Sequence, residues 1–297
     1  MAKGKKITTI RLPLICNYRC KFCFLEEKYA DLEKFPLDDV VREIHDAVKS
    51  GMDKIILTGG EPTLLNELPV LVRYAKSKGI KEVEIQTNAT GLSDREYAKK
   101  LAGSGVDSLM VGFHSHIEKK YDQLTSTKGN FKKAIKGIDE ISKYDVEVFF
   151  NHTINALNYA DMESYVQFIH GSFPKTKKLY FTFVYPVGDC MKNKEIIPKI
   201  SETVPFLEKA LKVCKSYGLE VFFPHCGMPG FPFCLLDRES LKFLKNPLNL
   251  ERELVRTEDF QCYNVRTEKC KKCRFGSICV GIARNYATLY GFDEFNN

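Results

Sequence analysis

The hydrophobic positions of the chain form short runs of strand length, and stretches with helical periodicity separate them. The runs are "ITTIRLPL" (7–14), "KIILTGG", "VEIQTNA", "SLMVGFHSH", "VEVFFNHTIN" and "KLYFTFVYP". Between them, stretches such as "LDDVVREIHDAVKSG" carry apolar residues every three or four positions. Strands that alternate with helices pair in parallel through right-handed crossovers. The pattern therefore predicts an α/β fold, either an open doubly wound sheet or a closed or partly closed barrel.

Polar residues follow each of these predicted strands. Strand two ends in "TGGEPT" (58–63), strand three in "QTNAT" (86–90), strand four in "HSH" (114–116), strand five in "NHTIN" (151–155) and strand six in "YPVGDC" (185–190). In parallel α/β folds, ligands bind at the carboxyl ends of the strands. We therefore expect a binding site at this rim. The helix that follows strand three is expected to begin with Ser93 as its N-cap.

The pattern changes after residue 190. A long helical stretch (201–218), the strand-like run "LEVFFP" and a loop rich in Gly, Pro and Cys precede a tail with three cysteines and a closing helix. We therefore predict two units, a barrel over residues 1–195 and a smaller C-terminal region over residues 196–297.

The eleven cysteines are distributed unevenly, and three of them lie within eight residues. The count is odd and the sequence has no signal peptide, which argues against a disulfide framework. Cys16, Cys20 and Cys23 have the spacing C-x3-C-x2-C. A structural zinc site needs a fourth protein ligand. A [4Fe–4S] cluster held by three cysteines instead leaves one iron open, which explains a set of three.

Two motifs together resemble the radical SAM superfamily. One is the C-x3-C-x2-C spacing with the aromatic Phe22 before its last cysteine, and the other is "GGEP" at 59–62. The resemblance covers roughly residues 7–190 and implies a partial (β/α)6 TIM-like barrel with a small C-terminal extension. It implies a cluster on Cys16, Cys20 and Cys23 whose open iron binds S-adenosylmethionine. An external donor would reduce the cluster, and a 5′-deoxyadenosyl radical would take hydrogen from a substrate.

The same resemblance implies which residues bind S-adenosylmethionine. Gly59 and Gly60 would let the backbone approach closely. Glu61, which precedes Pro62 in the motif, would accept hydrogen bonds from the ligand's ammonium together with nearby carbonyls. Phe22 would pack against adenine. Polar residues at the later strand ends are candidates for the ribose, the carboxylate or the substrate: Asn88, Ser115 and Asn155, followed by His114 and Asn151.

A second set of cysteines, spaced C-x2-C-x5-C, is followed by "VGIARNYATLYG" and resembles the twitch or SPASM regions of radical SAM enzymes. Its members are Cys270, Cys273 and Cys279. The SPASM pattern has a further cysteine where this chain has Ala283, so a twitch-like unit with one auxiliary cluster fits better. Cys234 is the first choice for its fourth ligand, with Cys226 and Cys262 as alternatives. A structural zinc site remains the other interpretation.

Cys190 follows strand six at the predicted rim. One hypothesis gives its thiol a catalytic role, either as a hydrogen-atom donor to a substrate radical or as a covalent link to substrate. The alternative is an ordinary loop cysteine. Cys214 lies on the apolar side of a helical pattern and is predicted to be a core residue.

The function that these motifs favour is radical modification of a peptide, and oxidation or rearrangement of a small molecule such as a sugar or nucleotide is the alternative. A flavodoxin or ferredoxin would supply electrons. Because only fifteen residues precede Cys16, we expect that a separate protein or the mouth of the barrel itself would have to bind any leader peptide. The rival classes are an electron carrier, which would not need "GGEP", and a zinc-stabilised nucleic-acid-binding protein.

Charge and hydropathy bear on the location of the protein and on its partners. The net charge of +7 comes from dispersed lysines rather than from a basic stripe, so the sequence does not predict nucleic-acid binding. No apolar run approaches the ~20 residues of a membrane span. We therefore expect a cytoplasmic protein without a membrane partner.

Overall fold

The computed structural model describes residues 5–25, 37–223, 232–243, 264–275, 279 and 281–295. Its central feature is a seven-stranded sheet in which all neighbours are parallel and the strands follow chain order. The strands are β1 Ile7–Arg11, β2 Lys54–Thr58, β3 Glu82–Thr87, β4 Ser108–Gly112, β5 Glu147–Ile154, β6 Lys178–Phe183 and β7 Glu220–Phe222. The predicted α/β partial barrel is confirmed. Strand β7, which the sequence analysis assigned to the C-terminal region, pairs with β6 and extends the sheet.

Helices connect the strands. They are α1 Leu37–Lys49, α2 Leu68–Ser77, α3 Arg95–Ala102, α4 Glu118–Thr125, α5 Asn130–Ile141, α6 Met162–Ser172, α7 Ile200–Ser216, α8 Arg238–Phe243 and α9 Arg284–Tyr290. A short antiparallel pair, β8 Asn264–Val265 and β9 Ile282–Ala283, precedes α9. Helix α4 was not predicted from the sequence. No described helix has both the length and the apolar character needed to cross a membrane.

The N-cap of α3 is one residue later than predicted. Asp94, not Ser93, accepts hydrogen bonds from the backbone N–H groups of Glu96 and Tyr97, at 2.9 and 3.1 Å. Its carboxylate also interacts favourably with the positive end of the helix dipole, which the Ser93 hydroxyl cannot do to the same extent.

The two faces of the sheet have different partners, because successive strand residues point to opposite sides. On β5, Phe150 packs against Phe173 at the end of α6, with ring centroids 5.1 Å apart. The next residue, Asn151, lies on the other face and accepts a hydrogen bond from Thr182 of β6 at 2.7 Å. The helix-facing side forms the hydrophobic core, and the inner side is left to line the barrel.

The C-terminal segment packs against the barrel through α9. The ring of Tyr286 is 1% exposed and lies 5.9 Å from that of Phe183 at the end of β6. Its hydroxyl accepts a hydrogen bond from the Ile200 N–H at 2.7 Å. Asn285 donates to the Pro186 carbonyl at 2.7 Å. These contacts join the last helix to the segment that follows β6. The predicted division of the chain into two units at residue 195 stays a prediction.

Candidate active site

The three clustered cysteines lie on the loop that follows the carboxyl end of β1, and all three are half-buried. Cys16 and Cys20 pack against the edge of the core. The Cys16 Sγ atom accepts a hydrogen bond from the backbone N–H of Tyr18 at 3.4 Å. Hydrogen bonds to cysteine sulfurs are one way in which proteins adjust iron–sulfur clusters. The position and the donor therefore fit a thiolate that ligates a cluster.

Two glycines fix the cysteine loop to the end of β2. A Cβ atom on Gly60 would lie 2.0 Å from the Ile15 carbonyl oxygen, and one on Gly59 would lie 2.5 Å from that of Leu12. The φ angle of Gly59 is +154°, which side-chain-bearing residues rarely adopt. The Glu61 N–H donates to the Ile15 carbonyl at 2.6 Å. The absence of side chains on Gly59 and Gly60 therefore allows the end of β2 to pack directly against the cysteine loop.

Glu61 connects the ends of β2 and β3. It is 3% exposed, and its Oε1 atom accepts hydrogen bonds from the Thr63 N–H and hydroxyl at 2.9 and 2.5 Å and from the Thr87 hydroxyl at 2.5 Å. Its Oε2 atom accepts from the Asn88 N–H at 2.6 Å. Burial raises the pKa of the carboxyl, and these donors act in the opposite direction. The side chain is thus occupied by protein donors, and Pro62 begins the short 3₁₀ turn that supplies one of them.

An asparagine that the sequence analysis missed joins the cysteine loop to β3. The Asn88 side-chain amide donates to Asn17 Oδ1 at 2.8 Å, and Asn17 Nδ2 donates to the Thr90 hydroxyl at 2.8 Å. Asn88 Oδ1 accepts from that same hydroxyl at 2.6 Å. The only sequence signal for Asn17 was its place beside Cys16. The predicted ligand residue Asn88 therefore holds the loop.

Two other predicted cofactor-binding residues make local turn contacts. Ser115 is 2% exposed, and its hydroxyl accepts from the Ile117 N–H at 3.1 Å, just before α4. Asn155 has no exposed surface, and it donates to the Thr153 carbonyl at 2.8 Å and accepts from the Leu157 N–H at 3.0 Å. Short polar side chains at strand ends commonly satisfy nearby backbone groups. The roles of Ser115 and Asn155 in cofactor binding stay predictions.

Phe22 lies edge-to-face against His114, with ring centroids 4.6 Å apart and an interplanar angle of 75°. The Thr153 N–H donates to His114 Nδ1 at 3.0 Å, so the proton of the neutral ring is assigned to Nε2. Burial lowers the pKa of His114 to about 3, which keeps the ring neutral. A neutral imidazole thus supports the half-buried aromatic ring beside the cysteines.

Cys190 is a buried thiol, and its catalytic role stays a prediction. Its side chain has no exposed surface, and burial raises the pKa of the thiol to about 12. Its segment packs on the cysteine loop. The Asp189 N–H donates to the Cys23 carbonyl at 3.0 Å, and a Cβ on Gly188 would lie 2.8 Å from the Phe24 carbonyl oxygen. Cys214 is 1% exposed, as predicted for a core residue.

The second set of cysteines lies near Cys234, which the sequence analysis favoured as the fourth ligand. Burial raises the pKa of Cys234 to about 11, and the nearby thiols of Cys273, Cys279 and Cys270 raise it further. The Gly281 N–H donates to Cys279 Sγ at 3.4 Å, in the same way that the Tyr18 N–H donates to Cys16 Sγ in the first set. The four thiols are therefore close enough for each of the other three to affect the pKa of Cys234. The alternatives Cys226 and Cys262 lie outside the described residues.

The donor chemistry of the two cysteine sets fits iron–sulfur clusters. Thiolates are soft ligands that suit such clusters as well as zinc.

Comparison with known protein families places this fold and cysteine loop in one class. The Radical SAM superfamily matches residues 10–169, which include the cysteine loop, and the chain belongs to this superfamily. It is therefore a radical SAM enzyme, and membership implies a [4Fe–4S] cluster and S-adenosylmethionine as cofactors.

The sequence relatives include enzymes with different substrates. A probable GTP 3′,8-cyclase of Methanococcus maripaludis is 27% identical over 300 residues, 90% of this chain and 98% of that protein. A probable GTP 3′,8-cyclase of Thermococcus kodakarensis is 32% identical over 56% of this chain and 54% of its own length. An Fe-coproporphyrin III synthase of Methanosarcina barkeri is 34% identical over 50% of this chain and 36% of its own length.

The solved structures with a similar fold include two with bound peptides. Streptococcus suis SuiB bound to its precursor peptide SuiA has a TM-score of 0.66 at 15% identity, over 97% of this chain and 74% of SuiB. The enzyme anSMEcpe with S-adenosylmethionine and a peptide has a TM-score of 0.61 at 16% identity, over 98% and 96% of the two chains. At such identities the likeness shows the fold alone.

Proposed function

We propose that this radical SAM enzyme modifies a peptide. The observation that carries the proposal is the chemistry of the inner face of the sheet near β5, β6 and β7. The rings of Phe149 and Tyr180 lie 5.3 Å apart, and those of Tyr180 and Phe222 lie 5.0 Å apart and stack. Aromatic rings and neutral hydrogen-bonding groups suit the side chains and amides of a peptide.

The cofactors would bind at the rim. Cys16, Cys20 and Cys23 would hold the cluster, and the backbone carbonyls of Gly59 and Gly60 would accept from the ammonium of S-adenosylmethionine. When bound, the pair supplies a 5′-deoxyadenosyl radical that takes hydrogen from an unactivated C–H bond. The rim loops orient the cofactor and exclude water, which limits side reactions of the radical.

The C-terminal cysteines would hold an auxiliary cluster. With Cys234 joining Cys270, Cys273 and Cys279, all four irons would have protein ligands. Such a cluster has no open iron for substrate, so it would accept an electron from the substrate radical. The net reaction would then be an oxidation.

A second candidate substrate is a nucleotide, because the relative that covers 90% of this chain is named a probable GTP 3′,8-cyclase. One assay separates the two candidates. The reduced, cluster-loaded protein is given S-adenosylmethionine with either GTP or a peptide encoded by a neighbouring gene, and 5′-deoxyadenosine and substrate mass are followed by mass spectrometry. The peptide should stimulate 5′-deoxyadenosine formation and lose two hydrogens. Stimulation and consumption of GTP alone would contradict the peptide proposal.

A variant tests the role of the inner face. Phe222→Ala removes one ring of the aromatic stack and should raise the KM for the peptide about 10-fold, the equivalent of about 1.4 kcal/mol of binding. Tyr217→Ala is the matched control, since Tyr217 is 38% exposed and stacks on His170 outside the barrel. Equal KM values for the two variants would show that the inner face does not bind the peptide.

A further inference from the structure

The outer side of the cysteine loop is covered by one layer of backbone. The Arg19 N–H donates to the Thr125 carbonyl at 3.0 Å, and the Lys21 N–H donates to the Leu124 carbonyl at 2.9 Å. Cys20 lies between these two donors. The last turn of α4 therefore lies directly behind the cysteine, and a molecule docked there would be one layer of chain away from the cluster.

The inner side of the cysteine loop is in contact with other parts of the barrel. Gly60 and Glu61 contact the loop on that side through Ile15, and Phe22 lies against His114 at the mouth of the barrel. S-adenosylmethionine and substrate must occupy this mouth, because the radical chemistry takes place there. A protein that delivers electrons must therefore approach from the outer side.

The outer side carries exposed positive charge. Arg19, Lys119, Lys128 and Lys194 are all exposed, and we call them the loop-side patch. In the part of the chain that the structure describes, no carboxylate lies within ion-pairing distance of Lys119, Lys128 or Lys194. These three lysines can therefore meet charges on a partner.

Most acidic groups beside the patch are already neutralised. Glu195 pairs with Lys21 at 3.2 Å, and Asp189 pairs with Lys192 at 2.9 Å. Asp122 lines a surface hollow together with Lys119, Gln123, Ser126, Thr127 and Lys128. The hollow therefore has two lysines for one carboxylate. Its charge is complementary to an acidic protein surface.

We propose that the loop-side patch is the docking surface for an acidic one-electron donor protein of the flavodoxin or ferredoxin class. One electron moves from the reduced donor to the cluster, and no bond forms or breaks. The proposal rests on membership of the superfamily and not on the substrate class. A cationic surface of this kind raises the association rate of an acidic partner about 10-fold or more at low salt.

The test compares two double charge reversals in the full-length, cluster-loaded protein. Lys119→Glu/Lys128→Glu alters the patch. Lys99→Glu/Lys100→Glu changes the net charge equally at the C-terminal end of α3. This end lies near the amino ends of the strands, away from the cysteine loop, because α3 leads from the carboxyl end of β3 to the start of β4. Stopped-flow absorbance follows reduction of the cluster by flavodoxin hydroquinone and, separately, by ferredoxin. Photoreduced deazariboflavin, which is small and uncharged, measures the reducibility of the cluster without docking.

The patch variant should be reduced by the protein donors about 10-fold more slowly at low salt, and the difference should largely disappear near 1 M salt, where the Debye length is about 3 Å. The control variant and the deazariboflavin rates should match the wild type. Equal rates for the two variants would overturn the proposal. A wild-type protein that neither acidic donor reduces would overturn it as well.

Discussion

Gly60→Ala tests whether the second motif acts by holding the cysteine loop. The added Cβ would lie 2.0 Å from the Ile15 carbonyl oxygen and 2.6 Å from the Leu14 carbonyl carbon. Both are backbone atoms, so no side-chain rotation relieves the contact. A carbon–oxygen contact of about 3.3 Å is the ordinary minimum. The loop must therefore move by about 1.3 Å from β2, the difference between the two distances.

That movement breaks the bonds that join the loop to the motif. The Glu61 N–H to Ile15 carbonyl bond of 2.6 Å and the Gly60 N–H to Pro13 carbonyl bond of 3.2 Å would both be lost. Each contributes about 1 kcal/mol. Steric overpacking adds about 1–3 kcal/mol. The free energy of unfolding should fall by about 3–5 kcal/mol, which lowers Tm by about 5–10 °C in a chain of this size.

Two assays read out the consequence. Thermal unfolding followed by circular dichroism measures the Tm of the variant, and iron analysis after anaerobic reconstitution measures the cluster, which should be lost with about four irons per chain. Gly171→Ala is the control, because a Cβ there has no neighbour within 4 Å and the residue lies in α6. A Gly60→Ala protein with full iron content and an unchanged Tm would refute the reasoning.

Three further predictions concern titration and the cysteines. Burial lowers the pKa of His114 to about 3. The unfolded chain takes up this proton near pH 6.5 and the folded one does not, so stability should fall by about 1.4 kcal/mol per pH unit as pH drops below 6.5. Urea titrations of His114→Gln should show a shallower dependence of stability on pH than the wild type, and an unchanged dependence would contradict the prediction. Cys234→Ala should remove or destabilise the auxiliary cluster and lower the iron content by up to about four, whereas Cys214→Ala should leave iron unchanged; equal iron in both would point to another fourth ligand. Cys190→Ala should lower Tm through a small cavity and leave the product unchanged, and a changed product by mass spectrometry would support a catalytic role for Cys190.

The sequence was sufficient for the sheet because its strands are apolar runs separated by clear helical repeats. Helix α4 was missed because "EKKYDQLT" has few apolar residues, and its helical state depends on tertiary contacts. The pairing of strand β7 with β6 was not predicted, because strand pairing is a long-range property that periodicity does not encode.

The site was predicted less completely than the fold. The spacing of Cys16, Cys20 and Cys23 was informative because the chemistry requires that spacing. Ser115 and Asn155 form hydrogen bonds within their own turns, which the sequence did not predict, because a polar side chain at a strand end can bond its own turn as well as a ligand. Asn17 was missed because its partners are more than seventy positions away in the sequence.

The most direct test of radical chemistry in this chain is anaerobic reconstitution with iron and sulfide, followed by reduction and addition of S-adenosylmethionine. About eight irons per chain are expected for two cubane clusters. S-adenosylmethionine should change the EPR signal of the reduced cluster, and 5′-deoxyadenosine should form. The Cys16→Ala/Cys20→Ala/Cys23→Ala protein should keep only the irons of the second set and lose both responses. If the EPR signal of the fully loaded wild-type protein does not change when S-adenosylmethionine is added, the cluster at the cysteine loop has no open iron and the account is wrong.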